Sequence, residues 1–400
     1  MGQRMRVLVL ASRIPFPLEK GDKLRIYHQL GALSATDEVI LCCLSSKPPS
    51  EEQLNALAPW VREVHVLRLS LLRRMWRMIW AWTSALPFQV TWFTETKAKR
   101  QLHTLIDRHQ PDVIYCQLVR CAEYVRELHH IPKVLDYMDA LSAGMHRRAH
   151  TEQRPLARWM RWLMRAEGTR LARYESRVFD YFDAHTIISR NDRLLIPHRD
   201  RDGIHLVPNG VDLKAFTPGT HPKSDPPVLL FTGNMSYAPN VDAAHHLVED
   251  ILPLIQHPHV RVVLAGAEPT ASVRALASER VHVTGWVDDI AAEYQRATLF
   301  VAPLRMGTGL QNKVLEAMAS DLACVLSPHA FAPLGLPSAG HAEVCHDANA
   351  FAQRIDALLL DPIRAVDLAL QARTKIQEKF SWEGHGTTLR SILSDAAQLK

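Results

Sequence analysis

The stretch "GTGLQNKVLEAMA", Gly307 to Ala319, follows the apolar run "TLFVAPL" (298–304) and passes into apolar residues at helical spacing. Its spacing is close to that of an ATPase phosphate loop, which needs Gly, four residues, Gly, Lys, then Ser or Thr. Gly307 and Lys313 keep that spacing, but the second glycine is Asn312 and the hydroxyl position is Val314. Val314 cannot bind magnesium through a hydroxyl, so the loop reads as a diphosphate grip made of backbone N–H groups and cationic side chains. Strand, glycine-bearing loop and helix in that order are the unit of a parallel α/β sheet.

The other apolar runs have the same character. "RVLVLAS" (6–12), "DEVILCCL" (37–44), "EVHVLRL" (63–69), "PDVIYCQ" (111–117), "KVLDYMD" (133–139), "AHTIISR" (184–190) and "GIHLVPNG" (203–210) form one series. "PVLLFTG" (227–233), "VRVVLAG" (260–266), "VHVTGWV" (281–287), "TLFVAPL", "ACVLSP" (323–328) and "AEVCHD" (342–347) form a second. Their apolar residues are consecutive rather than alternating, as in strands covered on both faces. Two doubly wound domains are expected, and 400 residues suit two cores better than one. "VPNGVDLKAFTPGTHPKSDPP" (207–227), rich in proline and turn dipeptides, marks the break. Residues 1–207 are assigned to an N-terminal domain and 208–380 to a C-terminal one.

Composition narrows the function. Hydrophobic residues make up 47% and charged residues 22%, a globular balance. The net charge of +5 suits an anionic substrate, a lipid surface or a plain solvated surface and does not choose among them. No nucleic-acid motif is present, so nucleic acid is not an expected partner. Six cysteines without a CxxC pair read as core residues in a reducing compartment, and no run is long enough to span a bilayer. The expectation is a cytoplasmic protein. The histidine pairs lack a second ligand pair at metal spacing, so no metal site is assigned.

Open parallel sheets bind ligands beyond the carboxyl ends of their strands. Gly21 follows the first strand, just before a helical pattern with Asp22 as its expected cap. Gly233 and Asn234 hold the equivalent place in the second series. Either pair also reads as an ordinary strand-ending turn. The opening loop is more specific. Lys313 and Glu316, three apart on a helix expected over 309–320, share one face. Arg305 and Lys313 would meet a diphosphate, and Glu316 a ribose diol. The alternative is a surface ion pair.

Taken in order, "VPNGVD", "FTGNMSYAPN", "VTGWVDD" and "GTGLQNKVLEAMA" resemble the family-four nucleotide-sugar glycosyltransferases, whose GT-B fold sets two Rossmann-like domains face to face. "RIPFPLEKGDKLRIYH" and "VLDYMDALS" are similar to sugar transferases of exopolysaccharide and exosortase systems. The resemblance implies a final helix, 381–400, crossing back to the first domain. It implies retaining, metal-independent transfer from a nucleoside-diphosphate sugar to a glycan or lipid-linked acceptor, with no cofactor. It gives Glu316 the ribose, Arg305 and Lys313 the leaving diphosphate, and the Val287 backbone the base. The backbones of Gly307, Gly309, Leu310 and Gln311 would hold donor oxygens. Thr308 stands where the family has its first glutamate. Asp139 is the candidate acceptor contact or base, with a helix cap as the alternative. A nucleotide-sugar 2-epimerase and a non-catalytic nucleotide-sugar scaffold share the architecture.

Residues 69–93 interleave Arg73, Arg74 and Arg77 with Trp76, Trp80 and Trp82. Two readings stand: a helix at a lipid interface in peripheral membrane contact, or a helix packed on the sheet with its arginines outward.

Overall fold

Thirteen parallel strands arise from these apolar runs in the computed structural model, which describes residues 4–151, 158–219, 225–306 and 309–399. The chain divides into two units, Met1–Pro208 with Glu383–Lys400, and Asn209–Trp382. The first unit holds β1 (Arg6–Ala11), β2 (Glu38–Ser45), β3 (Glu63–Arg68), β4 (Val113–Gln117), β5 (Lys133–Met138), β6 (Ala184–Ile187) and β7 (His205–Leu206), in the order β3-β2-β1-β4-β5-β6-β7. The second holds β8 (Val228–Thr232), β9 (Arg261–Ala265), β10 (Val281–Gly285), β11 (Leu299–Ala302), β12 (Ala323–Leu326) and β13 (Glu343–Val344), in the order β10-β9-β8-β11-β12-β13.

Each sheet reverses its strand order once, at β1/β4 and at β8/β11. Loops on either side of such a reversal diverge and leave a crevice above the carboxyl ends. The register Leu229↔Leu299 and Leu230↔Phe300 sets β8 and β11 side by side, so Gly233 and residues 303–306 and 309–311 border one crevice. All six cysteines are buried and unbridged.

The centre of the first unit is polar. Arg25 and Asp136, both fully buried, form a two-pronged ion pair at 2.7 and 3.0 Å. Arg25 also donates to the Val207 carbonyl at 2.8 Å, and Thr186 donates to Asp136 at 2.9 Å. Burying a charge is tolerable only with such complete pairing. From Glu383 onward the last helix, Trp382–Ala397, belongs to this unit: Leu389 and Leu393 join Leu30 and Leu33 in its core, and Arg390 pairs with Asp37 at 2.8 Å.

The helix Leu71–Trp80 corrects the reading of outward arginines for two of the three. Arg74 and Arg77 point inward. Arg74 is buried, donating to the Trp92 carbonyl at 2.9 Å with its guanidinium 4.3 Å from the Trp92 ring centre. Arg73 pairs with Glu95 at 2.9 Å, and Arg77 donates to the Thr94 carbonyl and to Thr96. Of the three, only Arg73 presents its guanidinium at the surface, and Glu95 pairs with it.

Candidate functional site

The end of β8, the segment that follows it and the helix after β11 meet at Lys313. Its helix runs over Asn312–Ala319 with Gln311 as N-cap, later than the expected start at 309. Leu315 and Met318 anchor it in the core, which turns Lys313 and Glu316 toward the carboxyl ends of β8 and β11. The Lys313 ammonium donates to Asn240 Oδ1 at 2.5 Å and lies 4.5 Å from the centre of the Phe231 ring. Asn240 is itself held, its amide donating to the Asn234 carbonyl at 2.8 Å. Burial pulls the Lys313 ammonium down to about 7, against the opposing pull of Glu316.

Gly233 is required here by space and by conformation. Its φ is +150°, and a Cβ there would lie 2.6 Å from the Asn240 amide nitrogen and 2.9 Å from the Lys313 ammonium. Gly266, after β9 with φ +141°, presses on the Gly233 carbonyl with no room for a side chain. Gly266 also donates to the Gly285 carbonyl at 3.1 Å, which ties together the ends of β8, β9 and β10. The backbone above the sheet is thus closely packed and bare of side chains at Gly233 and Gly266, which lets an anion approach it.

Glu316 is fixed by Tyr294, whose buried hydroxyl donates to its carboxylate at 2.9 Å and contacts Thr232 at 2.6 Å. Burial pushes the Glu316 carboxyl up, while the Tyr294 hydroxyl and Lys313 hold it down. Both residues are half-buried, so Lys313 and Glu316 are not a solvated surface pair. Gly309 has φ +83°, and its carbonyl accepts from the Gln311 side chain at 3.3 Å. Leu310 packs on the core edge. Gly307 and Thr308 lie outside the described residues.

Other expected site residues stand differently. Arg305 is half exposed and gripped by Asp242 at 3.0 and 2.5 Å, with Asp250 at 3.8 Å. Its charge is thus already matched, unlike that of Lys313. Asn234 is exposed, donating to Glu268 at 3.0 Å and accepting from Ser236 at 2.8 Å. Val287 is half-buried against the core beside an exposed Trp286. A cavity of about 430 Å³ in this unit, lined by Glu343, Arg354 and Arg364 among others, does not include Lys313. Two arginines there, Arg354 and Arg364, pair with Glu343.

In the first unit, Gly21 is the first residue of the helix Gly21–Ser34. The cap is Lys20, not the expected Asp22, which pairs with Arg13 at 3.0 Å. Gln117 at the end of β4 donates to the Asp22 carbonyl at 2.7 Å. Asp139, exposed just beyond β5, follows Met138, whose φ is +65°. Leu118, just beyond β4, has φ +68°. Strained non-glycine residues at two neighbouring strand ends are a feature of functional edges. Among the described residues, the ligand-type atoms of Glu63, His65 and His109 lie within 4.8 Å of one another. Glu63 opens β3 with His65 two residues on, His109 ends the helix Thr96–His109, and the 3.0 Å His65–Glu63 contact is an ordinary hydrogen-bond distance.

Asn240, Phe231, Tyr294 and Gly266 were not singled out from sequence. Asn240 lies within "FTGNMSYAPN", but only the fold shows that it faces Lys313.

Residues 226–361 match the family described as Glycosyl transferases group 1. Two curated relatives are similar over part of the chain. The alpha-maltose-1-phosphate synthase of Mycolicibacterium smegmatis is 27% identical over 46% of this chain and 55% of its own length. The lipopolysaccharide core biosynthesis mannosyltransferase LpcC of Rhizobium leguminosarum bv. viciae is 29% identical over 52% of this chain and 65% of its own. The chain thus matches between half and two thirds of the length of these relatives. The crystal structure of Anabaena HepE in complex with UDP and glucose superposes with a TM-score of 0.71 at 14% identity, over 98% of this chain and 100% of that one. At that identity the likeness concerns the fold.

Proposed function

Residues 226–361 form a glycosyl transferases group 1 domain within a GT-B fold, and from that premise we propose that the protein is a retaining, metal-independent glycosyltransferase. It moves a sugar from a nucleoside diphosphate to a glycan or lipid-linked acceptor in polysaccharide or glycoconjugate synthesis, at the cytoplasmic side of a membrane. The observation that carries this reading is the Lys313 ammonium held at Gly233 and Asn240 beside Glu316.

In the reaction the bond between the sugar's anomeric carbon and the diphosphate oxygen breaks, and negative charge grows on that oxygen. Lys313 and the first-turn N–H groups of its helix meet the charge. Their site is partly dehydrated, which strengthens the interaction. Glu316 accepts hydrogen bonds from the ribose diol, and Tyr294 keeps its carboxylate aimed. The backbones of Gly309, Leu310 and Gln311, with Gly307 and Thr308 before them, hold donor oxygens. Gly233, Asn234 and Val287 bracket the diphosphate and base, and Arg305 acts as a second cation when it leaves Asp242. The acceptor hydroxyl adds to the same face of the sugar, and its proton passes to the departing phosphate oxygen. Asp139 is the proposed contact or base for an acceptor hydroxyl, and Gly21 a proposed backbone contact for an anion.

The test is a thermal-shift series with UDP, GDP, CDP, ADP and their sugars, followed by donor turnover with membrane extract as acceptor. One nucleotide series should stabilise the protein, by ~2.7 kcal/mol at 100 times its dissociation constant. Lys313→Ala should remove the shift. A protein that neither binds nor consumes any nucleotide sugar would end this reading.

A further inference from the structure

The helix Leu71–Trp80 is amphipathic in the reverse sense. Leu71, Leu72, Met75, Trp76, Ile79 and Trp80 are 57–74% exposed, while Arg74 and Arg77 are bonded inward and Arg73, at the edge of the apolar face, pairs with Glu95. At 100° per residue these six fill one continuous half of the helix. Trp82 and Trp162 extend the face, stacked 6.2 Å apart at 9° and each more than half exposed. The face is built rather than frayed. Arg170, from the neighbouring helix Arg158–Phe179, donates to the carbonyls of Ala81, Trp82 and Ser84 at 2.9–3.1 Å.

Eight large apolar side chains at this exposure leave on the order of 1,000 Å² uncovered, where an ordinary monomer's largest patch is about 300–600 Å². Water alone is a poor cover for such a surface. Its chemistry selects the occupant. Tryptophans border aliphatic side chains along one edge of the face, the composition of an interfacial helix. No Asp or Glu occurs from Leu69 to Thr94. Arg161 and Arg165, both exposed, flank Trp162 one turn apart. A second copy docked symmetrically would bring two such arginine pairs together.

We propose that this face inserts into the headgroup boundary of an anionic lipid leaflet, with Arg161 and Arg165 meeting lipid phosphates. The inference stands apart from the transferase reading, because it uses no residue of the donor site.

The test is flotation of the full chain with vesicles of phosphatidylcholine alone or mixed with phosphatidylglycerol. The wild-type chain should float with the mixed vesicles, and brominated acyl chains should quench its tryptophan emission. Trp76→Ser with Trp80→Ser should lower the partition coefficient at least ~tenfold, with melting temperature and nucleotide binding unchanged. Arg161→Glu with Arg165→Glu should abolish the preference for phosphatidylglycerol. A wild-type chain that stays with the unbound fraction, or a tryptophan variant that floats equally well, would overturn the proposal. A wild-type dimer by light scattering that the tryptophan variant converts to monomer would also overturn it, by showing that a second copy covers the face.

Discussion

Lys313 should make affinity for a nucleoside diphosphate fall as the pH rises above neutrality. In the unliganded protein burial holds its ammonium at about 7, so above pH 7 the side chain is mostly the neutral amine. A bound diphosphate raises that value, because opposite charge favours the protonated form. Binding therefore takes up a proton. Affinity is fully present below pH 7 and falls up to tenfold per unit until the pH passes the raised value. Between pH 7 and pH 9 the loss is roughly 50-fold, or about 2.3 kcal/mol. The terminal phosphate's own titration near pH ~6 is almost complete before this window opens. Isothermal titration with UDP at pH 7, 8 and 9, in two buffers of different ionisation enthalpy, measures both quantities. Close to one proton should be taken up per UDP at pH 8. Lys313→Met, which keeps the volume and drops the charge, should bind weakly at every pH with no slope. Unfolding restores the ordinary lysine value of 10.5, so the unliganded wild-type chain should also gain stability from pH 7 upward through this group. Flat affinity in the wild-type chain, or an unchanged slope in the variant, would refute the reasoning.

Two further outcomes follow from packing. Gly266→Ala should destabilise more than Gly233→Ala, because its Cβ meets the Gly233 backbone whereas that of Gly233 meets the movable ends of Asn240 and Lys313. Strain of this kind costs about 1–3 kcal/mol. Urea unfolding orders the two, and equal losses would contradict the contact assignment. Arg25→Met should cost about 3–5 kcal/mol by stranding the buried Asp136 carboxylate, read by the same method. A loss under ~1 kcal/mol would mean that the pair is hydrated.

The sheet architecture was legible because its cause is local. A strand covered on both faces must be apolar at consecutive positions, and the runs around Val7–Ala11 and Leu299–Ala302 say so without reference to anything distant. Lys313 and Glu316 were legible for the same reason, being three residues apart on one helix. Three features were not. The start of that helix slipped from Gly309 to Asn312 because Gly309 takes a positive φ, which a helix excludes. Arg305 was read as a free cation because its partner Asp242 lies 63 residues away. The direction of the helix Leu71–Trp80 was ambiguous because periodicity reveals two faces but not which one is inside.

By itself, then, the sequence determined the class of sheet, the strand-ending loops that bear the chemistry, and the spacing that pairs a cation with a carboxylate. These are short-range matters of alternation, turn chemistry and helical pitch. Only the tertiary structure decided which charges are available. It spent Arg305 on Asp242 and Arg73, Arg74 and Arg77 on neighbouring carbonyls and Glu95, and it left Lys313 half-buried with Asn240 and Phe231. Availability of charge depends on burial and on partners far along the chain, and neither is encoded in local spacing.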